Sequence, residues 1–194
     1  MRMVRPEEIF FSMDTINTRR LILRKLTMRD ANDMFIYSRN PEVARHVLWD
    51  AHLTPGNSKS YIRHILRKYR AGEPASWGIE HREHRRLIGT IGYMWYQPDN
   101  NAAELGYSLN QLYWNRGYMT EALSAVIAHS FNVLFINRLE AQHEITNPAS
   151  GAVMRKAGMT LEGTLRQRLF NKGRYVDVAL YAILMSDYAS KAQR

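Results

Sequence analysis

Apolar and polar residues alternate through Arg20-Leu21-Ile22-Leu23-Arg24-Lys25-Leu26, as a half-buried strand requires. Thr27 then offers a helix cap, with Asp30 three residues on and an apolar stripe of Ala31, Met34 and Phe35. Asn40-Pro41 ends that helix and starts a short second one. Pro55-Gly56-Asn57-Ser58 reads as a turn and cap before a helix at 59–71, which Gly72 stops. Strand patterns follow at 76–80, 86–96 and 102–109, separated by a charged stretch at 81–85 and the turn Pro98-Asp99-Asn100-Asn101. The clearest helix spans 117–134, where Met119, Ala122, Leu123, Val126, Ile127 and Phe131 recur at helical spacing. A strand at 138–145, a helix at 149–157 ended by Gly158, and strands at 164–170 and 175–185 around Asn171-Lys172-Gly173-Arg174 complete the chain.

Tight turns join most of these strands, so they are expected to pair antiparallel. Only 102–109 and 138–145 are joined by a long helix, which suits a parallel crossover. The expected fold is α/β: a mixed, mostly antiparallel sheet of about seven strands, with helices on both faces and one parallel pair. A single domain at 17–188 is expected, with a loose arm at 1–16 and a tail at 189–194.

The 194 residues are 45% hydrophobic and 23% charged, an ordinary globular balance. There is no cysteine, which excludes disulfides, thiolate metal sites and cysteine nucleophiles, and fits a cytoplasmic address. No stretch reaches the roughly 20 apolar residues of a membrane helix. The net charge of +9 favours phosphorylated partners of any kind.

One joint between elements suggests where such a partner binds. Trp114-Asn115-Arg116-Gly117-Tyr118-Met119-Thr120 leads into the best helix. A helix start carries unpaired amides and about half a positive charge. Gly117 permits positive φ and close approach, Arg116 adds charge, and Thr120 adds a hydroxyl. Together these residues form a pyrophosphate cradle or, more plainly, a strand–loop–helix joint. Neither a dinucleotide fingerprint nor a P-loop is present. His81 and His84 are expected on a solvated hairpin tip, without a third metal ligand.

The segment 113–122 resembles the coenzyme A-binding motif of the GNAT superfamily of N-acetyltransferases. Trp114, Asn115 and Met119 stand where the superfamily pattern has other residues. The rest of the chain is similar to the RimJ/RimL branch, the ribosomal-protein N-acetyltransferases. The similarity lies in Thr18-Arg19-Arg20-Leu21, Asn40-Pro41-Glu42-Val43, Leu87-Ile88-Gly89-Thr90, Ala103-Glu104-Leu105-Gly106-Tyr107, Asn137-Arg138-Leu139-Glu140 and Glu162-Gly163-Thr164-Leu165-Arg166. It runs in order over residues 17–187.

This resemblance implies acetyl-CoA as donor and a pantetheine arm lying between two splayed parallel strands, 102–109 and 138–145. It assigns cofactor contacts to Leu109, Asn110, Gln111, Trp114, Asn115, Arg116, Gly117, Tyr118, Met119, Thr120, Asn147 and Ser150. The Leu109 N–H would polarise the thioester carbonyl. Glu104 is the first candidate for the base, with a water chain or a plain exposed strand glutamate as the alternatives. Ser150 is the candidate to protonate or only orient the sulfur, because Met154 stands where many relatives have a tyrosine. Gly151, inside a short helix, fits close approach of the backbone to the cofactor or is a merely tolerated glycine. Trp49, Trp77 and Tyr93 are candidates for an acceptor tunnel, with core packing as the alternative.

The implied acceptor is a protein N-terminal amine. A small amine such as a polyamine or antibiotic is the second reading. A catalytically silent module is the third, binding coenzyme A or docking RNA on the basic helix at 59–70. Homodimers are common in the branch, so a second copy joins the expected partners.

Overall fold

The computed structural model describes residue 10 and residues 13–192. One sheet of eight strands organises them: β1 (Ile16–Asn17), β2 (Leu21–Arg24), β3 (Ser76–His81), β4 (Arg86–Gln97), β5 (Ala102–Leu109), β6 (Arg138–Glu144), β7 (Thr160–Asn171) and β8 (Arg174–Leu184). Their spatial order is β1-β2-β3-β4-β5-β6-β8-β7. Every neighbouring pair is antiparallel except β5 and β6. The strand beyond the expected set is β1, whose two residues pair with Leu23 and Ile22 and are too few for periodicity to reveal.

The helices are α1 (Ala31–Ser38), α2 (Pro41–Ala44), α3 (Pro55–Ala71), α4 (Tyr118–Asn132), α5 (Pro148–Lys156) and α6 (Met185–Ala192). Helix α3 starts at Pro55 rather than 59. Thr54 and Asn57 form a reciprocal capping box there, and proline presets the first helical φ. Strand β7 also starts early, at Thr160, because register shifts near Leu161/Gly163 and Leu165/Leu169 break the alternation that marks a strand. Most of the expected arm at 1–16 lies outside the described residues. Within it, Phe10 and Met13 are buried, and Phe10 meets Tyr93 and Tyr96 edge-on.

Residues 87–93 of β4 are all buried, so both faces of the sheet are covered at its centre. Helix α1 packs on β4 and α3, while α4 reaches β1, β2, β4 and α5. Trp77 and Tyr93 lie in this core, at 0% and 1% exposure. The Trp77 indole donates to the Asp14 carbonyl at 2.9 Å, and the Tyr93 hydroxyl pairs with Ser130 Oγ at 2.6 Å. Their polar atoms are thereby satisfied inside the core.

The parallel pair decides where a site can form. β5 and β6 match only at Ala102↔Arg138, Ala103↔Leu139 and Glu104↔Glu140. Both strands continue, to Leu109 and Glu144, without further pairing. A gap therefore opens between them.

Gly92 fixes how β4 meets the chain before β3. A Cβ there would lie 2.3 Å from both Ala75 O and Ser76 Cα, and backbone atoms cannot move aside cheaply. Gly92→Ala is expected to cost about 3 kcal/mol or more, at the upper end for overpacking. That corresponds to a fall in Tm on the order of 5–10 °C by thermal scanning.

Candidate active site

The gap between β5 and β6 opens into a cleft of about 550 Å³. Its walls come from the segment after α2, the end of β5, the start of α4 and the first turns of α5. Sheet geometry aims one amide into it. Asn110 N–H bonds to the Ile88 carbonyl of β4 at 2.7 Å. Successive strand amides point to opposite sides, so the Leu109 N–H faces the gap instead.

The start of α4 meets the same cleft. Gly117 is its N-cap, at φ 75°, and no side chain caps the helix. The first helical bond is Glu121 N–H to the Gly117 carbonyl, at 3.0 Å. The amides of Tyr118, Met119 and Thr120 are thus left for an anion, with the positive end of the helix dipole behind them. Asn115 also has positive φ, at 58°. The Trp114 indole donates to the Leu109 carbonyl at 2.8 Å, tying this loop to the end of β5. The Met119 side chain is buried in the core, which leaves its backbone to the ligand side.

A strut from the far end of the chain holds the loop. Glu121 accepts from Thr18 Oγ1 at 2.6 Å, Arg20 N at 2.8 Å and Arg20 Nε at 2.6 Å. The same guanidinium donates to the Arg116 carbonyl at 2.9 Å and lies over the Tyr118 ring. Burial pushes the Glu121 carboxyl up, but the hydrogen bonds from Thr18 and Arg20 outweigh it and hold the group below its usual range.

Leu109, Trp114, Asn115, Gly117, Tyr118, Met119, Thr120, Asn147 and Ser150 all line the cleft. Asn110, Gln111 and Arg116 border it without lining it. Asn110 Oδ1 caps the Leu112 amide, and Gln111 Oε1 accepts from Asn40 at 2.6 Å. Asn147 caps α5, accepting from Ser150 N at 3.4 Å. Ser150 Oγ sits 2.9 Å from the Tyr107 hydroxyl.

Other expected site residues lie elsewhere. Trp77 and Tyr93 are core residues, as described above. Trp49 packs beside His52, and its carbonyl accepts from Lys172 Nζ at 3.1 Å; it does not line the cleft. Glu104 does not line it either. One of its oxygens accepts from Trp95 Nε1 at 2.5 Å and the other from Gln142 Nε2 at 3.0 Å.

Packing against His143 by itself requires a glycine at 151. A Cβ there would meet His143 Nε2 at 2.6 Å. His81 is not solvated as expected: it is 4% exposed and stacks on His84 at 4.0 Å. His81 bonds to the Tyr118 hydroxyl at 2.9 Å, and His84 to that of Tyr113 at 2.7 Å. Both tyrosines line the cleft. Among the described residues no cluster of metal-ligating side chains forms.

Periodicity misses two further groups. His46 lines the cleft, with Nδ1 3.1 Å from Glu144 Oε2. No local motif announces this pair, which is separated by 98 positions.

Arg20→Ala is expected to loosen the loop, lowering hydrogen-exchange protection of the Glu121 and Ala122 amides about tenfold relative to wild type. The depressed Glu121 pKa gives the wild type a matching acid response. Its stabilisation is complete above the ordinary glutamate pKa of about 4.3 and is lost as the pH falls through the lower folded value. Protection of the same amides should therefore decline only below about pH 4.

Residues 20–160 match the family model described as an acetyltransferase (GNAT) domain. The uncharacterized N-acetyltransferase p20 of Bacillus licheniformis is 32% identical over 181 residues, covering 91% of this chain and 99% of that protein. The [ribosomal protein uS5]-alanine N-acetyltransferase of Escherichia coli is 26% identical over 182 residues, covering 89% and 92%. Among solved structures, the RimL ribosomal L7/L12 alpha-N-protein acetyltransferase with coenzyme A superposes with a TM-score of 0.79. It shares 23% identity and covers 88% of this chain and 98% of that one. The open amides of α4 and the gap beside Leu109 fit the phosphates and the arm of that cofactor. By family and fold, this chain belongs to the GNAT N-acetyltransferases, enzymes whose acetyl donor is acetyl-CoA.

Proposed function

We propose that this chain acetylates the N-terminal α-amine of a protein. The observation that carries the reading is the convergence of three features on one cleft. These are the uncapped start of α4, the Leu109 N–H aimed into the gap, and the Ser150 hydroxyl beside Tyr107.

The amides of residues 118–120 would bind the pyrophosphate, with Arg116 close by. Backbone groups at 109–111 and Asn147 would orient the arm. Acetyl-CoA supplies a carbonyl carbon bonded to a thiolate leaving group. The Leu109 N–H would donate to the carbonyl oxygen as negative charge builds there. A neutral amine attacks the carbon, a C–N bond forms and the C–S bond breaks. The amine gives up one proton and the sulfur takes one, for which Ser150 is the nearby hydroxyl. Burial raises the Tyr107 phenol well above its usual range, so Tyr107 stays a neutral hydrogen-bonding partner for Ser150.

Amine chemistry favours an α-amine. Its pKa is about 7.7–8.0, against about 10.4 for lysine, so neutralising lysine at pH 7 costs roughly 3–4 kcal/mol more. The name of the Escherichia coli relative, an N-acetyltransferase for a ribosomal-protein alanine, points the same way. Arg45 and Lys156 in the cleft wall disfavour polycations such as polyamines.

Incubation with acetyl-CoA and a panel of peptides, polyamines and aminoglycosides tests this reading through thiol release and product mass. Peptides with a free alanine or serine N-terminus should gain one acetyl group, and blocked peptides none. Acetylation of the small amines alone would replace the acceptor assignment. Absence of thiol release with every amine would leave only a binding module. On an accepted peptide, Ser150→Ala should lower kcat by no more than about 100-fold, the lower end for general acid catalysis. KM for acetyl-CoA should change little, because the lost interaction belongs to the transition state.

A further inference from the structure

We propose that the His46 imidazole takes the proton from the acceptor amine, and that Glu144 is the residue that positions it. The inference rests on the acetyl-transfer reading above but not on the identity of the amine.

His46 lies two residues beyond α2, on the cleft wall that faces Leu109 and Ser150. Its side chain is 20% exposed, whereas that of Glu144, at the end of β6, is 2% exposed. A carboxylate only accepts hydrogen bonds, so the 3.1 Å contact places a proton on Nδ1. Nε2 then carries the lone pair, and it has no hydrogen-bond partner among the described residues. This is the arrangement of a base oriented by a carboxylate, on a residue that lines the cleft.

The carboxylate is held independently of His46. Asn171 Nδ2 donates to Oε1 at 2.6 Å, while Thr146 Oγ1 and Arg174 each donate to Oε2 at 3.3 Å. Burial raises the Glu144 pKa, but the hydrogen bonds from Asn171 and His46 outweigh it and keep the group ionised below the usual carboxylate range. An ionised group so buried is costly unless fully bonded. Of its donors, Asn171 is buried and the cleft histidine mostly so, whereas Thr146 and Arg174 are exposed. The alternative carboxylate, Glu104, has both oxygens occupied away from the cleft.

The step balances. The amine nitrogen forms the C–N bond, its N–H proton passes to His46 Nε2 directly or through one water, and the thiolate leaves. An imidazole whose second nitrogen carries a free lone pair suits general-base work. The surrounding charges are Glu144 and His143 from β6, Arg174 and Lys172 from the β7–β8 hairpin, and the exposed pair Glu42 and Arg45. His143 has its pKa lowered, mainly by burial, and is neutral near pH 7.

The test uses the full chain and any amine that the panel shows to be acetylated. His46→Gln should lower kcat about 100-fold, with the melting temperature and KM for acetyl-CoA near wild type. Free imidazole should restore part of the activity to His46→Ala. Glu144→Gln should lower kcat less than His46→Gln and weaken the Nδ1-protonated signature of the ring in the nitrogen NMR spectrum, because the carboxylate that accepts that proton is gone.

Independently of activity, nitrogen NMR of the labelled wild type should show His46 protonated at Nδ1 and bare at Nε2. An Nε2-protonated ring would overturn the proposal. So would a His46→Gln enzyme with more than half the wild-type kcat, or a Glu144→Gln ring with an unchanged tautomer signature. A low kcat in Glu104→Gln alongside normal His46 variants would reassign the base. If no amine is acetylated, the acetyl-transfer reading fails, while the ring spectrum still decides the geometry.

Discussion

Two parallel strands that start paired and then part create an obligation for the backbone. β5 and β6 share three registered positions and separate after Glu104↔Glu140. Beyond that point, backbone groups facing the gap have lost the partners a sheet would supply, and each needs water or a ligand. The uncapped first turn of α4 has the same shortage of acceptors. Both deficits open onto one cleft, so an anionic, extended, amide-bearing molecule satisfies them together. Acetyl-CoA has those properties.

The rest of the molecule keeps this unsatisfied backbone in place. Glu121, one turn into α4, ties the helix to Thr18 and Arg20, and Arg20 reaches back to the Arg116 carbonyl. Trp114 ties the same loop to Leu109. The first strut joins segments about a hundred positions apart and the second is local, and each uses a charged or aromatic group. A loop carrying positive φ at both Asn115 and Gly117 would otherwise fluctuate, and its amides would not converge on one point.

A second polar cluster lies beside the cleft at His46. Glu144 is an ionised side chain removed from water and surrounded by Asn171, Thr146, Arg174 and His46. Most of its donors come from the β7–β8 hairpin and from the segment after α2. Folding of the hairpin, orientation of the imidazole and shape of the cleft are therefore coupled. Lys172 strengthens the coupling by donating to the carbonyls of Val47 and Trp49. The hairpin thus backs the segment at 45–47 that lines the cleft.

Local chemistry wrote much of this into the sequence. The helix start at Gly117, the α4 stripe, the stop at Gly72 and the parallel crossover follow from residues within a few positions of each other, or from the length of a connection. So does the resemblance that assigns the donor, because its motifs are contiguous. Other features depended on which distant residues meet. Trp77 and Tyr93 lie in the core because Asp14 and Ser130 satisfy their polar atoms there. Glu104 is engaged by Trp95 and Gln142, and Gly151 answers to the His143 ring. The pairing of His46 with Glu144 spans 98 positions. No periodicity encodes such a contact, because hydrogen-bond partners are chosen by the packing of strands and loops rather than by spacing along the chain.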